Sequence, residues 1–294
     1  MPLFQLKNKK VSQVAIDLTH FKNEAALRDF FAENLEDLLG LKFLGKEYPT
    51  KDGRIDTLAI DETGSPVIIE YKWGEKDTIL SQGLFYMDWL KENKRLFDLL
   101  VADRLGKDKK VIWGSPRLLL IAQGFDRYTL SAVRQVKNSV ELIKYTPYSS
   151  DILFLETVYS PDTVKPVTES VNRKKEAETY NLQYHLGGIN KNVEEIFYAM
   201  QDEIVKWASV EERADQKVGI TYRTTKSFVR FEFGKSYIDV LVRDSRYGKT
   251  VDPRELVQDI TSFEWGYKGR IKLKAKEDVP YVLGLIRQSY ESTL

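Results

Sequence analysis

Cysteine is absent from the 294 residues, and histidine occurs only at His20 and His185. The first absence excludes disulfides, thiolate nucleophiles and zinc–sulfur sites, and two histidines are too few to favour a histidine-built metal site. The sequence also lacks any run of about 18 apolar residues, and its first residues, MPLFQLKNKKVSQ, have no long apolar core. We therefore expect a cytoplasmic protein with no membrane partner.

An excess of charge of one sign is missing as well. The chain has 45 basic and 44 acidic residues and a net charge of +1. A polyanionic partner would therefore have to be held by local patches rather than by a global field.

Hydrophobic periodicity divides the chain into two folded units. Residues 1–160 predict an α/β domain with a mixed sheet flanked by helices, and residues 186–294 predict a smaller α+β domain. Residues 161–185 have prolines, charges and no periodicity, which is typical of a linker. In the first unit the order is a helix over residues 23–39 ended by Gly40, two strands over 55–60 and 67–71, and a helix from about Asp77 to Leu105.

The stretch GRIDTLAIDETGSPVIIEYKWG, residues 53–74, contains both strands and the polar turn between them. If the hairpin turns about Thr63, Asp56 and Glu70 lie opposite each other, with Cβ atoms about 5 Å apart. Two facing carboxylates repel unless a positive charge lies between them, and carboxylate oxygens are ligands that Mg²⁺ or Mn²⁺ prefers. Lys72 shares the face of Glu70, and Tyr71 points to the other face.

A second interpretation of the hairpin remains open. Glu70 and Lys72 would form an exposed ion pair at a strand end, and Asp56 would be a surface residue near the turn. Neighbouring residues favour the metal site. Glu24, on the preceding helix, would supply a third carboxylate, and Gln82 and Tyr86 are four apart on the following helix, so they share one face.

These residues together resemble the PD-(D/E)XK nuclease superfamily. The motifs GRIDTLAID, VIIEYK and QGLFYMDW are similar to the catalytic core of NucS-type endonucleases, over about residues 15–160. The resemblance implies a restriction-endonuclease-like fold and a nucleic-acid partner, with DNA favoured. It implies that Asp56, Glu70 and the Tyr71 carbonyl bind Mg²⁺ or Mn²⁺ and that Lys72 orients or deprotonates water. Glu24, Gln82 and Tyr86 would complete the catalytic site.

The resemblance has a limit at the N-terminus. NucS-type enzymes carry a DNA-binding domain ahead of the nuclease domain, whereas here the nuclease helix begins near Asn23. A preference for branched or mismatched DNA is therefore not transferred. The second unit resembles a C-terminal domain of unknown function found on uncharacterised prokaryotic proteins, some labelled "predicted transport protein".

Basic and aromatic residues alternate in the second unit, which is the pattern of a nucleic-acid platform. Arg223, Arg230, Lys268 and Arg270 are the candidate phosphate contacts. The same alternation is also that of half-buried strands with ordinary surface charges. A protein partner for this unit, and a homodimer of the whole chain, remain open.

The sequence thus predicts a Mg²⁺- or Mn²⁺-dependent endonuclease. A catalytically silent nucleic-acid-binding or protein-interaction module that keeps the fold is the alternative. The patterns do not distinguish DNA from RNA and do not indicate the strand state, the biological pathway or the oligomeric state.

Overall fold

The computed structural model describes most of the chain. The described residues are 3–74, 78–107, 109–114, 116–136, 139–149, 151–161, 180–214, 217–245, 248–260 and 266–294. Among them, no helix combines the length and the apolar character that crossing a bilayer requires.

The first unit is built from a short N-terminal hairpin and a central sheet with helices. In chain order its elements are β1 (Leu3–Lys7), β2 (Lys10–Val14), α1 (Glu24–Glu33), α2 (Leu35–Leu39), β3 (Lys42–Thr50), β4 (Gly53–Ile60), β5 (Pro66–Lys72), α3 (Ile79–Glu92), α4 (Lys94–Leu105), β6 (Arg117–Ala122), α5 (Arg127–Val133), β7 (Ser139–Tyr148) and β8 (Ile152–Tyr159). The six strands β3 to β8 lie side by side in sequence order.

The central sheet is mixed and buried on both faces. Strands β5, β6 and β7 are parallel, and the remaining neighbours are antiparallel. Ile68 and Leu120 pack on one face with α3 and α4, while Val67 and Ile121 pack on the other with α1 and α2. Continuous apolar runs such as LLLIA, residues 118–122, are required because both faces are covered. The predicted mixed α/β class, a sheet flanked by helices, is confirmed.

Two predicted helices of the first unit are divided in the structure. Residues 23–39 form α1 and α2, which meet at Asn34, and Gly40 ends α2 with a left-handed φ of 68°. Residues up to Leu105 form α3 and α4, which meet at Asn93, whose side chain donates to the Trp89 carbonyl. Asparagine side chains compete with the helical backbone for hydrogen bonds, which explains both breaks. The predicted start at Asp77 lies outside the described residues.

The second unit is an α+β fold. Its elements are α6 (Leu182–Leu186), α7 (Lys191–Ile204), β9 (Glu211–Arg213), β10 (Ile220–Arg223), β11 (Ser227–Phe233), β12 (Ile238–Val242), β13 (Gln258–Asp259), β14 (Gly269–Leu273) and α8 (Val279–Glu291). The sheet order is β13-β14-β12-β11-β10-β9, and α7 and α8 pack with it in one core. Most of the predicted linker, residues 162–179, lies outside the described residues. Its end forms α6, whose Leu182 and Leu186 pack on the second core.

A buried ion network joins the two units. Glu141 on β7 is 1% exposed. It accepts from Arg117 Nε at 2.9 Å within its own unit, and from Arg223 Nη1 at 3.0 Å and Arg213 Nη1 at 3.4 Å across the contact. Burial opposes ionisation of Glu141, but Arg117, then Arg223 and Arg213, outweigh it and lower the pKa of this carboxyl to about 2. The second unit is therefore docked on the first.

The turn between β4 and β5 is part of the same contact. Glu62 accepts a hydrogen bond from the Ser227 hydroxyl, and its carbonyl accepts from Arg230 Nη1 at 3.3 Å. Burial opposes the charge of Glu62, but Arg243 and Ser227 outweigh that effect and lower its pKa. A turn that looks solvent-exposed in sequence is thus buried beneath the second unit.

We predict that Glu141→Gln destabilises the whole chain. The substitution removes the carboxylate that Arg117, Arg213 and Arg223 share, although Arg117 keeps its ion pair with Asp61. Breaking a buried ion pair from one side costs about 3–5 kcal/mol. Urea unfolding followed by tryptophan fluorescence measures the loss. Glu33→Gln, at an exposed position of α1, is the matched control and should stay within about 0.5 kcal/mol of the parent. Equal midpoints for the two variants would contradict this role of Glu141.

Candidate functional site

Two carboxylates accept hydrogen bonds between β4 and β5 at the point where the backbone pairing of these strands ends. The last backbone pair of these strands is Thr57 with Ile69, so the register places Asp56 opposite Glu70. The Asp56 N–H donates to Glu70 Oε1 at 3.1 Å, and the Tyr71 N–H donates to Asp56 Oδ2 at 3.1 Å. Each carboxylate is therefore held by a main-chain donor of the opposite strand.

Burial makes this pair electrostatically unfavourable. Glu70 is fully buried, and the Asp56 side chain is 15% exposed. Burial, then the charge of Asp56, raises the pKa of Glu70 to about 9 from its ordinary 4.5. Burial also raises the pKa of Asp56. Near neutral pH the pair therefore retains a proton or needs a nearby cation.

Helix α3 supports the pair from one side. Gln82 Nε2 donates to Glu70 Oε2 at 2.8 Å. The Tyr86 hydroxyl instead accepts from the Arg54 N–H at 3.1 Å, and a Cβ on Gly53 would lie 2.6 Å from that hydroxyl. The two side chains share a helix face, as the spacing predicts, but only Gln82 contacts a carboxylate. Tyr86 fixes the start of β4, two residues before Asp56.

Lys72 and Glu24 form an ion pair beside the carboxylates. Lys72 Nζ lies 3.0 Å from Glu24 Oε1, and the Trp73 N–H donates to Glu24 Oε2 at 3.4 Å. Asn23 caps α1 and places Glu24 in its first turn. The structure therefore shows Glu24 engaged with Lys72. Within the described ranges, no three His, Asp or Glu side chains form a group that could hold a metal ion.

Tyr71 points away from the site, as the strand alternation predicts. Its ring is fully buried and lies 5.6 Å from that of Phe31 in the core between the sheet and α1. Its backbone N–H binds Asp56, as described above. A metal-binding role for Tyr71 would therefore use the main-chain carbonyl alone, and that role stays a prediction.

The sequence interpretation missed Arg28. This residue lies one turn after Glu24 on α1, with Nη1 3.3 Å from Glu47 and 3.9 Å from Asp56 Oδ1. Its Nε is buried without a hydrogen-bond partner in the described structure. Arg28 lies four residues after Glu24, so both side chains share the helix face towards β4 and β5. This spacing is the feature of the sequence that could have indicated Arg28. Arg28 supplies a positive charge next to Asp56.

The basic residues proposed as phosphate contacts in the second unit are largely engaged inside the molecule. Arg223 is 5% exposed and binds Glu141, and Arg230 is 3% exposed and pairs with Glu232 at 2.8 Å. Their burial and their ion pairs argue against phosphate contacts at these two arginines.

The other two basic residues are half-buried. Arg270 lies on β14 between Leu241 and Gln258. Lys268 lines a cavity of about 250 Å³ that also contains four acidic residues, which disfavour a polyanion there. These are Asp244, Asp252, Glu255 and Asp259. The geometry of the second unit thus gives no support to a phosphate-binding platform at these four positions.

Comparison with known proteins gives limited similarity. No protein-family model matches the chain. An uncharacterised protein of Haemophilus influenzae is 24% identical over 310 residues, which cover 98% of this chain and 99% of that protein.

Two solved structures are similar over part of the chain. A repair endonuclease from Pyrococcus abyssi is 19% identical over 40% of this chain and 44% of that one, with a TM-score of 0.28. The structure of an EndoMS–dsDNA complex is 16% identical over 49% of this chain and 64% of that one, with a TM-score of 0.28. The chain spans less than two thirds of either, and neither likeness assigns a residue or a substrate.

We predict that Glu70→Gln stabilises the metal-free protein at alkaline pH. The folded pKa of about 9 lies above the ordinary 4.5, so the contribution of Glu70 favours folding at low pH and is lost as pH rises towards 9. Glutamine is neutral throughout, and its oxygen can still accept from the Asp56 N–H. Melting in EDTA should therefore show little difference at about pH 5 and a higher Tm for the variant at about pH 8.5.

Glu141→Gln is the contrasting control for this experiment. Its folded pKa of about 2 lies below 4.5, so the stabilisation by Glu141 is present above that ordinary value and is lost only as pH falls towards 2. That variant should melt below the parent at both alkaline and mildly acidic pH. An equal Tm for Glu70→Gln and the parent at alkaline pH would show that Glu70 is not an uncompensated buried carboxylate.

Proposed function

We propose that the chain is a metal-dependent endonuclease that hydrolyses phosphodiester bonds of nucleic acid, with DNA favoured. The observation that carries the proposal is the facing pair Asp56 and Glu70, with Lys72 on the strand of Glu70. A buried carboxylate whose pKa rises to about 9 marks a place where a cation would relieve repulsion. Structural residues have no need for such an arrangement.

The donor set fits Mg²⁺ or Mn²⁺. Asp56 and Glu70 supply hard carboxylate oxygens on facing strand ends, and the Tyr71 carbonyl and water would complete the ligands. Such a cation, when bound, acidifies water and offsets negative charge on a phosphate. Gln82 holds the Glu70 carboxylate in orientation through its 2.8 Å hydrogen bond. Arg28 favours the ionised form of Asp56, because its guanidinium lies nearby.

The ammonium of Lys72 is the group placed to act on substrate. It lies beside the carboxylate pair, and Glu24 holds it through a 3.0 Å contact. An ammonium at that position would orient the attacking water and stabilise the negative charge that develops on the phosphate. Glu24 would thus position Lys72.

A catalytically silent binding module is the second candidate. One observation favours it: Lys72 and Glu24 neutralise each other, and the described residues contain no group of three metal-binding side chains. In that case the fold would bind nucleic acid or protein without cleaving it.

We predict cleavage that depends on the divalent ion and on the pair. Single-stranded, duplex and branched DNA and RNA are incubated with Mn²⁺, Mg²⁺ or EDTA, and products are resolved on denaturing gels. Asp56→Asn and Glu70→Gln should lower the rate on the order of 100-fold or more. Gln82→Ala, which removes only the support of Glu70, should lower it about 10- to 100-fold.

Glu92→Gln, on an exposed turn of α3, is the control and should cleave at the parent rate. Equal cleavage by the pair variants and the control would reject the site. Binding of the substrates without cleavage under every metal condition would favour the silent module.

A further inference from the structure

The N-terminal hairpin carries a cluster of lysines at its tip. Strands β1 and β2 pair from Leu3 with Val14 to Lys7 with Lys10. Asn8 and Lys9 form the turn with φ of 50° and 63°, the left-handed pair typical of a type I′ turn. This turn places Lys7 and Lys10 side by side and Lys9 at the apex, and all three are exposed.

Apolar side chains lie next to the turn, on the face of the hairpin opposite to that of Lys7 and Lys10, because Leu6 and Lys7 are neighbours on one strand. Leu6 pairs with Val11, and Phe4 pairs with Gln13, so Phe4, Leu6 and Val11 share one face. They are 50%, 78% and 63% exposed, respectively. A two-stranded hairpin is marginally stable alone in water, and large exposed apolar groups beside cations indicate a binding surface.

Charge identifies the class of partner. The first 16 residues contain Lys7, Lys9 and Lys10 and no acidic residue, whereas the net charge of the whole chain is +1. A second copy of the chain seated tip to tip on this hairpin would bring the same lysine cluster against itself, which like-charge repulsion disfavours. A polyanion with apolar or aromatic groups satisfies both features of the surface, and nucleic acid has both.

The hairpin is tied to the edge of the sheet that holds the candidate site. After β2 the chain bonds to the end of β7 through the Ser149 N–H to the Ala15 carbonyl at 2.8 Å and the Asp17 N–H to the Pro147 carbonyl at 2.9 Å. Gln123, just after β6, donates to the Leu18 carbonyl at 3.3 Å.

Six residues after Leu18, the chain reaches Glu24, which lies beside β5. Glu24 contacts Lys72 at the end of that strand. Because β5, β6 and β7 are parallel, residues 15–24 run across their common carboxyl edge.

Sheet geometry gives the approximate distance between the candidate site and the hairpin. Lys72, Ala122 and Lys144 are in register across β5, β6 and β7, and the hairpin joins β7 near Tyr148, four residues beyond Lys144. Two strand spacings and four residues of rise give on the order of 15 Å from Lys72 to the base of the hairpin. At about 3.4 Å per nucleotide along a strand, that is about five nucleotides.

We propose that the hairpin Leu3–Val14 binds the nucleic-acid strand that flanks the candidate site. The three lysines at the tip of the hairpin contact phosphates of that strand. The hairpin adds affinity at about five or more nucleotides from the scissile bond and does not touch the reacting atoms. This inference rests on the proposed nuclease function for the substrate but concerns binding alone.

Salt-dependent binding of the full chain tests the proposal. Affinity for a labelled duplex and for its single strand is measured in EDTA over a range of salt concentrations. Neutralising Lys7→Gln, Lys9→Asn and Lys10→Gln together should reduce the log–log salt slope by about 2 to 3 and lower low-salt affinity about 10-fold or more. Asparagine at position 9 retains the left-handed turn.

A charge-matched control replaces Lys191, Lys217 and Lys235, exposed lysines of the second unit, by glutamine. Its salt slope should stay within about one unit of the parent. Melting curves check that the hairpin variant keeps the fold, since these side chains are outside both cores. Equal slopes for the parent and the hairpin variant would overturn the proposal.

The position at which the hairpin crosslinks to the nucleic-acid strand gives a second, independent measurement. Because the chain has no cysteine, Ser12→Cys introduces a unique thiol on the hairpin, and Ser236→Cys introduces one on an exposed turn of the second unit. Each is labelled with a photo-crosslinker. The hairpin probe should crosslink about five or more nucleotides from the cleavage position or, without cleavage, at one end of the protected region. The probe at position 236 should crosslink weakly.

The outcomes separate this inference from the proposed function. Loss of binding in the hairpin variant, without cleavage by the parent in any metal, would support the hairpin and reject the nuclease. Metal-dependent cleavage with unchanged binding by the hairpin variant would support the nuclease and reject the hairpin. A parent that sediments as a dimer while the variant is a monomer, or that binds anionic vesicles in place of oligonucleotides, would also reject it.

Discussion

Burial of a carboxylate without a matching cation is the constraint around which the first unit is organised. Glu70 lies at the end of a strand that is buried along its whole length. Its charge is offset only by main-chain and amide donors and by Lys72, and burial raises its pKa to about 9. Glu141, equally buried two strands away, is surrounded by three arginines, which lower its pKa to about 2. The same sheet thus contains one buried carboxylate that arginines compensate and one whose charge is largely uncompensated, and the second lies at the candidate site.

Local patterns were sufficient to predict the centre of the site. The two-residue period of a strand and a turn about Thr63 fix the pairing of Asp56 with Glu70, and the observed register has that pairing. A spacing of four on a helix is equally local, so Gln82 and Tyr86 share a face. What each side chain contacts depends on its direction and rotamer. Tyr86 therefore binds the start of β4 rather than a carboxylate, and Glu24 binds Lys72.

Hydrophobic periodicity could not predict the contacts between the two units. An arginine that alternates with apolar residues on a strand has the same pattern whether its face meets solvent or a second domain. Arg223 and Arg230 were therefore interpreted as exposed, although their face is covered by the first unit. The polar turn at Glu62 has the composition of a surface loop, yet it is buried by that docking. The N-terminal hairpin was missed because its strands are short and exposed on both faces, so neither the apolar alternation nor the burial that marks a strand is present.

Because Arg223 and Arg230 form ion pairs inside the molecule, phosphate contacts of a nucleic-acid ligand would have to lie elsewhere. Arginines that compensate Glu141 and Glu232 are not available to phosphates, and Lys268 lies among carboxylates. The remaining basic surface of interest is then the one nearest to the site along the chain, where three lysines are concentrated before the first acidic residue, Asp17. A short strap joins that hairpin to β7, β6 and β5 in turn, so its position relative to Lys72 is set by main-chain hydrogen bonds rather than by a flexible tether. In a chain with a net charge of +1, attraction of a polyanion would depend on such local clusters, and this one lies beside the sheet edge that carries the candidate site.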